Sequence, residues 1–165
     1  MTVSIRRFQK SDWSSLWPIL QATFSKGDTY TFPATSTEDE ILSAWIQAPT
    51  ATFVACDLSG EILGSYYIKP NQLGNASHVC NCGYIVSEQA RGKGVASFMC
   101  KHSQETAIEL GFLAMQFNFV VSTNNGAIRL WQKLGYDIAG TLPRAFRHPQ
   151  AGLVDAFVMY KWLAI

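Results

Sequence analysis

Apolar positions along the chain change period several times, and each change marks an element. Residues 3–8 read as a short first strand, after which Leu16, Ile19, Leu20 and Phe24 recur at helical spacing. Ser11-Asp12 can cap that helix, which the pattern carries from Trp13 to Phe24; Pro18 inside it predicts a kink or the true first turn. Lys26-Gly27-Asp28 breaks the period, and Tyr30-Thr31-Phe32-Pro33 follows as an aromatic loop. Ser36 or Thr37 with Glu40 has the form of a capping box, predicting a second helix through Ile41, Leu42, Trp45 and Ile46 up to Pro49. Strands over 52–56 and 62–69 come next, joined as a hairpin by Asp57-Leu58-Ser59-Gly60-Glu61, and a third lies over 79–86 after a polar loop. A long helix is expected over 94–110 with Gly111 as its stop, then a strand over 113–121 and a helix over 125–134 ended by Gly135. The last strands are expected over 136–141 and 154–162.

The order β-α-α-β-β-β-α-β-α-β-β describes a mixed α/β (α+β) architecture. Its middle β-α-β unit should join parallel strands by a right-handed crossover, with the other strands added antiparallel. The 165 residues suit a single domain, 1–165, and no linker rich in Gly, Pro or Ser divides them. Hydrophobic residues make up 48%, too many for a disordered chain. A net charge of +1 with dispersed basic residues argues against nucleic acid as a partner. No apolar run approaches the ~20 residues of a membrane span. The N-terminal stretch has no basic-then-apolar leader, so a cytoplasmic location is expected. Cys56, Cys80, Cys82 and Cys100 form no CxxC pair and no ligand set with histidine, so buried reduced thiols are expected and no metal. The apolar stretch 154–162 fits core packing and a homodimer contact equally well.

The chemically informative stretch is Gln89-Ala90-Arg91-Gly92-Lys93-Gly94-Val95-Ala96, between a strand and a helix. Glycines let the backbone turn tightly and gather amide N–H groups on one side, and a helix N-terminus adds unpaired N–H groups and the positive end of its dipole. Together these make a pyrophosphate cradle, to which Arg91 and Lys93 can add charge. The Walker pattern is absent because Val95 follows Gly94 and no Ser or Thr follows Lys93; the Rossmann pattern is absent because Gly94 leads to Ser97.

Gln89-x-x-Gly92-x-Gly94 matches the Q/R-x-x-G-x-G/A signature of the GNAT N-acetyltransferase family. Asn124-x-x-Ala127-x-x-Leu130-Trp131-x-Lys133-Leu134-Gly135-Tyr136 resembles that family's second cofactor segment. The resemblance runs from about residue 3 to 163 and is strongest from 62 to 142. It implies a mostly antiparallel central sheet with splayed fourth and fifth strands, helices on both faces, and acetyl-CoA as acetyl donor to a small-molecule amine. The pantetheine arm would then lie against main-chain groups of Tyr84, Ile85 and Val86. The pyrophosphate would lie on the amides of Arg91, Gly92, Lys93, Gly94, Val95 and Ala96, and Asn124 would bond the arm.

Two departures from the family pattern matter. The fourth-strand glutamate that serves many relatives as base is missing, and His78, Asn81 and Tyr84 stand there instead. Trp131 replaces the tyrosine that often protonates the leaving thiolate, which leaves it a packing role against the donor. A narrower resemblance runs through Tyr66-Tyr67-Ile68-Lys69-Pro70-Asn71, Ser77-His78-x-Cys80-Asn81-x-Gly83 and Phe117-Asn118-x-Val120-x-x-Thr123-Asn124. It is similar to a GNAT branch that acetylates proline analogues such as azetidine-2-carboxylate, and it implies that Asn81 and Asn118 face the reaction centre. Tyr30, Phe32 and Tyr67 would wall the acceptor, and His78 would lie beside it, able to take a proton. Arg144, Arg147 and His148 fall in an expected late loop, which either caps the pocket or is simply solvated. Acetylation of protein N-termini or lysines, and acyl-CoA binding without catalysis, remain alternative readings.

Overall fold

The computed structural model describes residues 2–163. In chain order it contains β1 (Ser4–Arg7), α1 (Trp13–Phe24), α2 (Glu38–Leu42), β2 (Ala51–Cys56), β3 (Ile62–Pro70), β4 (Val79–Val86), α3 (Val95–Glu109), β5 (Ala114–Val121), α4 (Asn125–Lys133), β6 (Asp137–His148) and β7 (Gly152–Trp162). The strands form one sheet in the order β1-β2-β3-β4-β5-β7-β6. Only β4 and β5 are parallel neighbours; the remaining pairs are antiparallel.

Helices cover both faces. Leu16, Leu20 and Phe24 of α1, with Ile41 and Trp45, bury against Val54, Cys56, Ile62 and Ile85 of the sheet. On the other face, Val95 and Met99 of α3 pack on Ala55, Leu63 and Tyr66, while Cys100, Ala107 and Trp131 join Met115, Phe117 and Met159. All four cysteines are buried free thiols.

Three local expectations change. First, α1 runs unbroken through Pro18. The carbonyl that loses its partner there is that of Ser14, an exposed residue that water can serve. Second, α2 is only five residues long and passes into a π-helical turn, Ser43–Gln47. That wider turn carries Trp45 into the core, where its Nε1 donates to Ser65 Oγ at 3.0 Å and its carbonyl accepts from Thr52 Oγ1 at 2.6 Å. Third, the expected late loop is strand: β6 continues to His148, opposite Gly152. An irregularity between Leu142 and Phe146 hides the period there; Arg144 has φ 52° and its amide donates to Asp155 Oδ1 at 2.8 Å.

The start of α2 follows the sequence expectation. Glu40 N–H donates to Thr37 Oγ1 at 3.3 Å, and Thr37 N–H donates to Glu40 Oε2 at 2.8 Å. Thr37→Ala should therefore lower stability by about 1 kcal/mol, read as a fall in the urea midpoint at unchanged slope.

Candidate functional site

The parallel pair β4–β5 is in register only at Val79–Ala114 and Cys80–Met115, and beyond these the strands part. Which backbone groups face the opening follows from β4's other edge. Ser87 N–H donates to Leu63 O and Asn71 N–H to Val79 O, both at 2.8 Å, so the odd-numbered residues of β4 turn their polar groups to β3. The even-numbered Cys82, Tyr84 and Val86 turn theirs into the opening. Ile85 also lines the larger cavity, but its backbone groups face Ser65 of β3 and its side chain, 3% exposed, lies in the core under α1. Along the opening, the backbone neighbour of Tyr84 and Val86 is Cys82, because the strand period is two.

Two cavities meet at this opening. The larger, about 510 Å³, lies between β4, the glycine turn and α4; the smaller, about 330 Å³, lies between the aromatic loop, β3, β4 and β5. Tyr30, Tyr84, Asn124 and Trp131 border both. Trp131 is 8% exposed, with ring centroids of Tyr84 and Phe117 at 5.0 and 5.1 Å, so it forms a rigid partition.

At the glycine turn, Gly92 and Gly94 have φ of 72° and 82°, left-handed conformations that side chains resist. The amides of Arg91 and Lys93 are turned back onto the carbonyls of Glu88 and Ala90. Among the described residues, the amides of Gly92, Gly94, Val95, Ala96 and Ser97 have no protein acceptor. Arg91, Gly92 and Ala96 line the larger cavity, whereas the Val95 side chain is buried in the core beneath it. Asn124 serves the fold as well as the cavity. Its Oδ1 accepts the Ala127 N–H at 3.2 Å as the cap of α4, leaving its Nδ2 for other partners.

The smaller cavity lies toward the aromatic loop and β3. Tyr30 Oη donates to Tyr84 O at 2.8 Å, which latches the aromatic loop to β4. The Tyr67 ring lies over Gly83, where an added Cβ would come within 2.6 Å of it. Tyr67 Oη donates to Asn81 Oδ1 at 3.2 Å, and Asn81 Nδ2 donates to Gln116 O at 2.9 Å. Asn81, 7% exposed, therefore bridges the gap between the parted strands. Asn118 is exposed at the mouth, accepting from Gln116 Nε2 at 2.8 Å and donating to Asn71 Oδ1 at 2.6 Å. Phe32 completes the wall against Phe24 and Tyr30.

His78 is not part of either cavity. It lies exposed before the first residue of β4, and its carbonyl receives the Leu113 N–H at the closed end of the strand pair, away from the opening. Arg144 and Arg147 are likewise exposed on β6; of that group only His148 reaches the rim of the larger cavity. The site also uses residues that sequence reasoning passed over. Lys69 lines the smaller cavity with its Nζ 5.4 Å from the Tyr67 ring centroid, and Gly83 makes room for that ring. Strand alternation was the available signal, since 67 and 69 share a face opposite 81 and 83.

Burial raises the acids that line the smaller cavity. Tyr67 is pushed up to about 12, and Tyr30, Tyr84 and Cys82 are also driven up by desolvation, so all keep their protons near neutrality. Among the described residues, no carboxylate or imidazole lines this cavity.

Comparison with known proteins bears on this geometry. The model of the acetyltransferase (GNAT) family matches residues 13–136. The N-acetyltransferase aca1 of Schizosaccharomyces pombe is 38% identical over 112 residues, covering 67% of this chain and 54% of that protein. The chain thus spans about half the length of that relative. The structure of a GCN5-related N-acetyltransferase from Kribbella flavida is 36% identical, with a TM-score of 0.92 over 97% of each chain. A phosphinothricin acetyltransferase from Sinorhizobium meliloti, solved in complex with acetyl-CoA, shares the fold at 21% identity and TM-score 0.87, over 99% of this chain and 90% of that one. With three quarters of its length inside the family match, the chain belongs to the GNAT acetyltransferase family.

Proposed function

We propose that the protein transfers an acetyl group from acetyl-CoA to the amine of a small molecule, an amino acid or amino-acid analogue, by direct attack with both substrates bound. The observation that carries this reading is the meeting of two cavities at β4 beside Tyr84, whose N–H faces the opening while its carbonyl holds the Tyr30 latch. The larger cavity fits the donor. Its unpaired amides at Gly92 and from Gly94 to Ser97 suit a pyrophosphate at the start of α3, and the edges of Cys82, Tyr84 and Val86 suit an arm laid along a strand. Acetyl-CoA supplies an acetyl group activated as a thioester.

The chain's own residues orient the acceptor and shape its wall. Asn81 and Asn118 offer amide N–H groups, while Tyr30, Phe32 and Tyr67 enclose the apolar part. The Tyr30 latch closes one side of the chamber, which favours a small acceptor over a peptide. Because the tyrosines and Cys82 there hold their protons, the attacking amine must arrive neutral or lose its proton to water.

The lack of a base among the described residues lining the smaller cavity has a kinetic signature. Below the acceptor's own pKa, kcat/KM should rise about tenfold per pH unit from pH 6 to 8, with no plateau from an enzyme histidine or carboxylate. Tyr67 does not reverse the trend, since its raised value keeps it protonated throughout this range. A pH profile with two acceptors of different basicity checks this; a limb that stays fixed when the acceptor changes would indicate an enzyme base. The reading as a whole is tested by mixing protein, acetyl-CoA and an amine panel. Free thiol with N-acetylated product is expected, and a panel of amino acids and simple amines without turnover would overturn it.

A further inference from the structure

We propose that Lys69 is the residue that holds the acceptor's carboxylate and so sets the acid selectivity of this site. This rests on the transferase reading above and names a specificity-determining residue of the same site. Lys69 is the sole charged side chain lining the smaller cavity among the described residues. It lies in β3 directly opposite Asn81, so the two side chains stand together on one face. Its Nζ is held toward the cavity wall, 5.4 Å from the Tyr67 ring centroid. The ion pairs among the described residues are Arg6–Asp12 and Lys26–Glu88, which leave Lys69 without a carboxylate partner.

The surrounding groups have the same polarity. The amide nitrogens of Asn81 and Asn118 each spend one hydrogen, on Gln116 O and on Asn71 Oδ1, and each keeps a second. An ammonium and two amide donors lining one cavity, with no carboxylate among its described lining residues, select an anionic group and give a charge-assisted hydrogen bond. The same charge acts on the amine end. A cation lining the cavity disfavours a second cation, so it shifts a bound ammonium toward the neutral form that attacks. Lys69 thus orients the acceptor and favours the form of the amine that attacks.

The test compares azetidine-2-carboxylate and an L-α-amino acid with their carboxamides, which keep size and remove the charge. Each kcat/KM is corrected for the fraction of neutral amine. The wild-type protein should prefer the acids by about 10- to 100-fold, the loss expected for one charge-assisted hydrogen bond. Lys69→Met should erase that preference, chiefly through acceptor KM, with the KM for acetyl-CoA unchanged; Lys69→Arg should restore part of it. A preference that survives in Lys69→Met, or a wild-type preference for the carboxamides, would overturn the proposal. Calorimetry of the same ligands in the presence of coenzyme A reads the preference without turnover. Acid-selective binding through Lys69 with no transfer would sink the transferase reading alone, whereas transfer without acid selectivity would sink this inference alone.

Discussion

Ala96→Glu will fold with an unchanged or slightly higher Tm and will fail to bind acetyl-CoA. Ala96 is the second residue of α3 and faces the larger cavity, beside amides that have no partner in the protein. A carboxylate in the first turn of a helix is favourable by roughly 0.3–1 kcal/mol, because it meets free N–H groups and the positive end of the dipole. The same carboxylate would satisfy the donors that a pyrophosphate needs and would repel its charge. Donor affinity should fall by more than about 100-fold, a penalty of several kcal/mol for like charges in a shared half-buried site. Calorimetry with acetyl-CoA and a thermal melt separate the two effects. Donor binding within a few-fold of wild type would remove the glycine turn as the phosphate site, while a collapse of Tm would mean that α3 starts elsewhere.

Asn81→Ala should lower kcat by about 100-fold, the scale seen when a fixed donor is removed from a reacting centre. Asn81 is buried, accepts from Tyr67 and donates to Gln116 O across the parted strands. Its removal leaves that carbonyl and the Tyr67 hydroxyl without their partner, so about 1–3 kcal/mol of stability should go with the activity. The KM for acetyl-CoA should stay within about twofold, since the glycine turn and α4 are untouched. Steady-state kinetics with a urea titration distinguish the outcomes. A variant that keeps more than a third of wild-type kcat would reduce Asn81 to a structural tie.

The glycine turn could be read from sequence because its constraint is local. Two left-handed glycines, a strand before them and a helix after them are all encoded within about ten residues. The capping box at Thr37 and Glu40 was legible for the same reason. What could not be read depends on partners far along the chain. Which backbone groups of β4 face the opening is set by the pairing with β3, so a run such as Tyr84, Ile85 and Val86 looks uniform until the ladder turns the N–H and carbonyl of Ile85 to β3. His78 is only one residue from β4, and that single step decides that it lies at the closed end. Lys69 reads as an ordinary strand-end lysine until the same ladder sets it beside Asn81. The length of β6 was hidden by the irregularity around Arg144, which breaks the alternation on which a strand assignment relies.

Tyr67 and Gly83 impose an order on how this scaffold can diverge. Position 83 contributes no functional group, and a methyl there would collide with a phenol ring at 2.6 Å. A lineage moving toward bulkier substrates must therefore trim residue 67 first; only then does 83 become free to vary. Surveys of relatives should find side chains at 83 only where 67 is already small, a historical contingency written by one missing carbon.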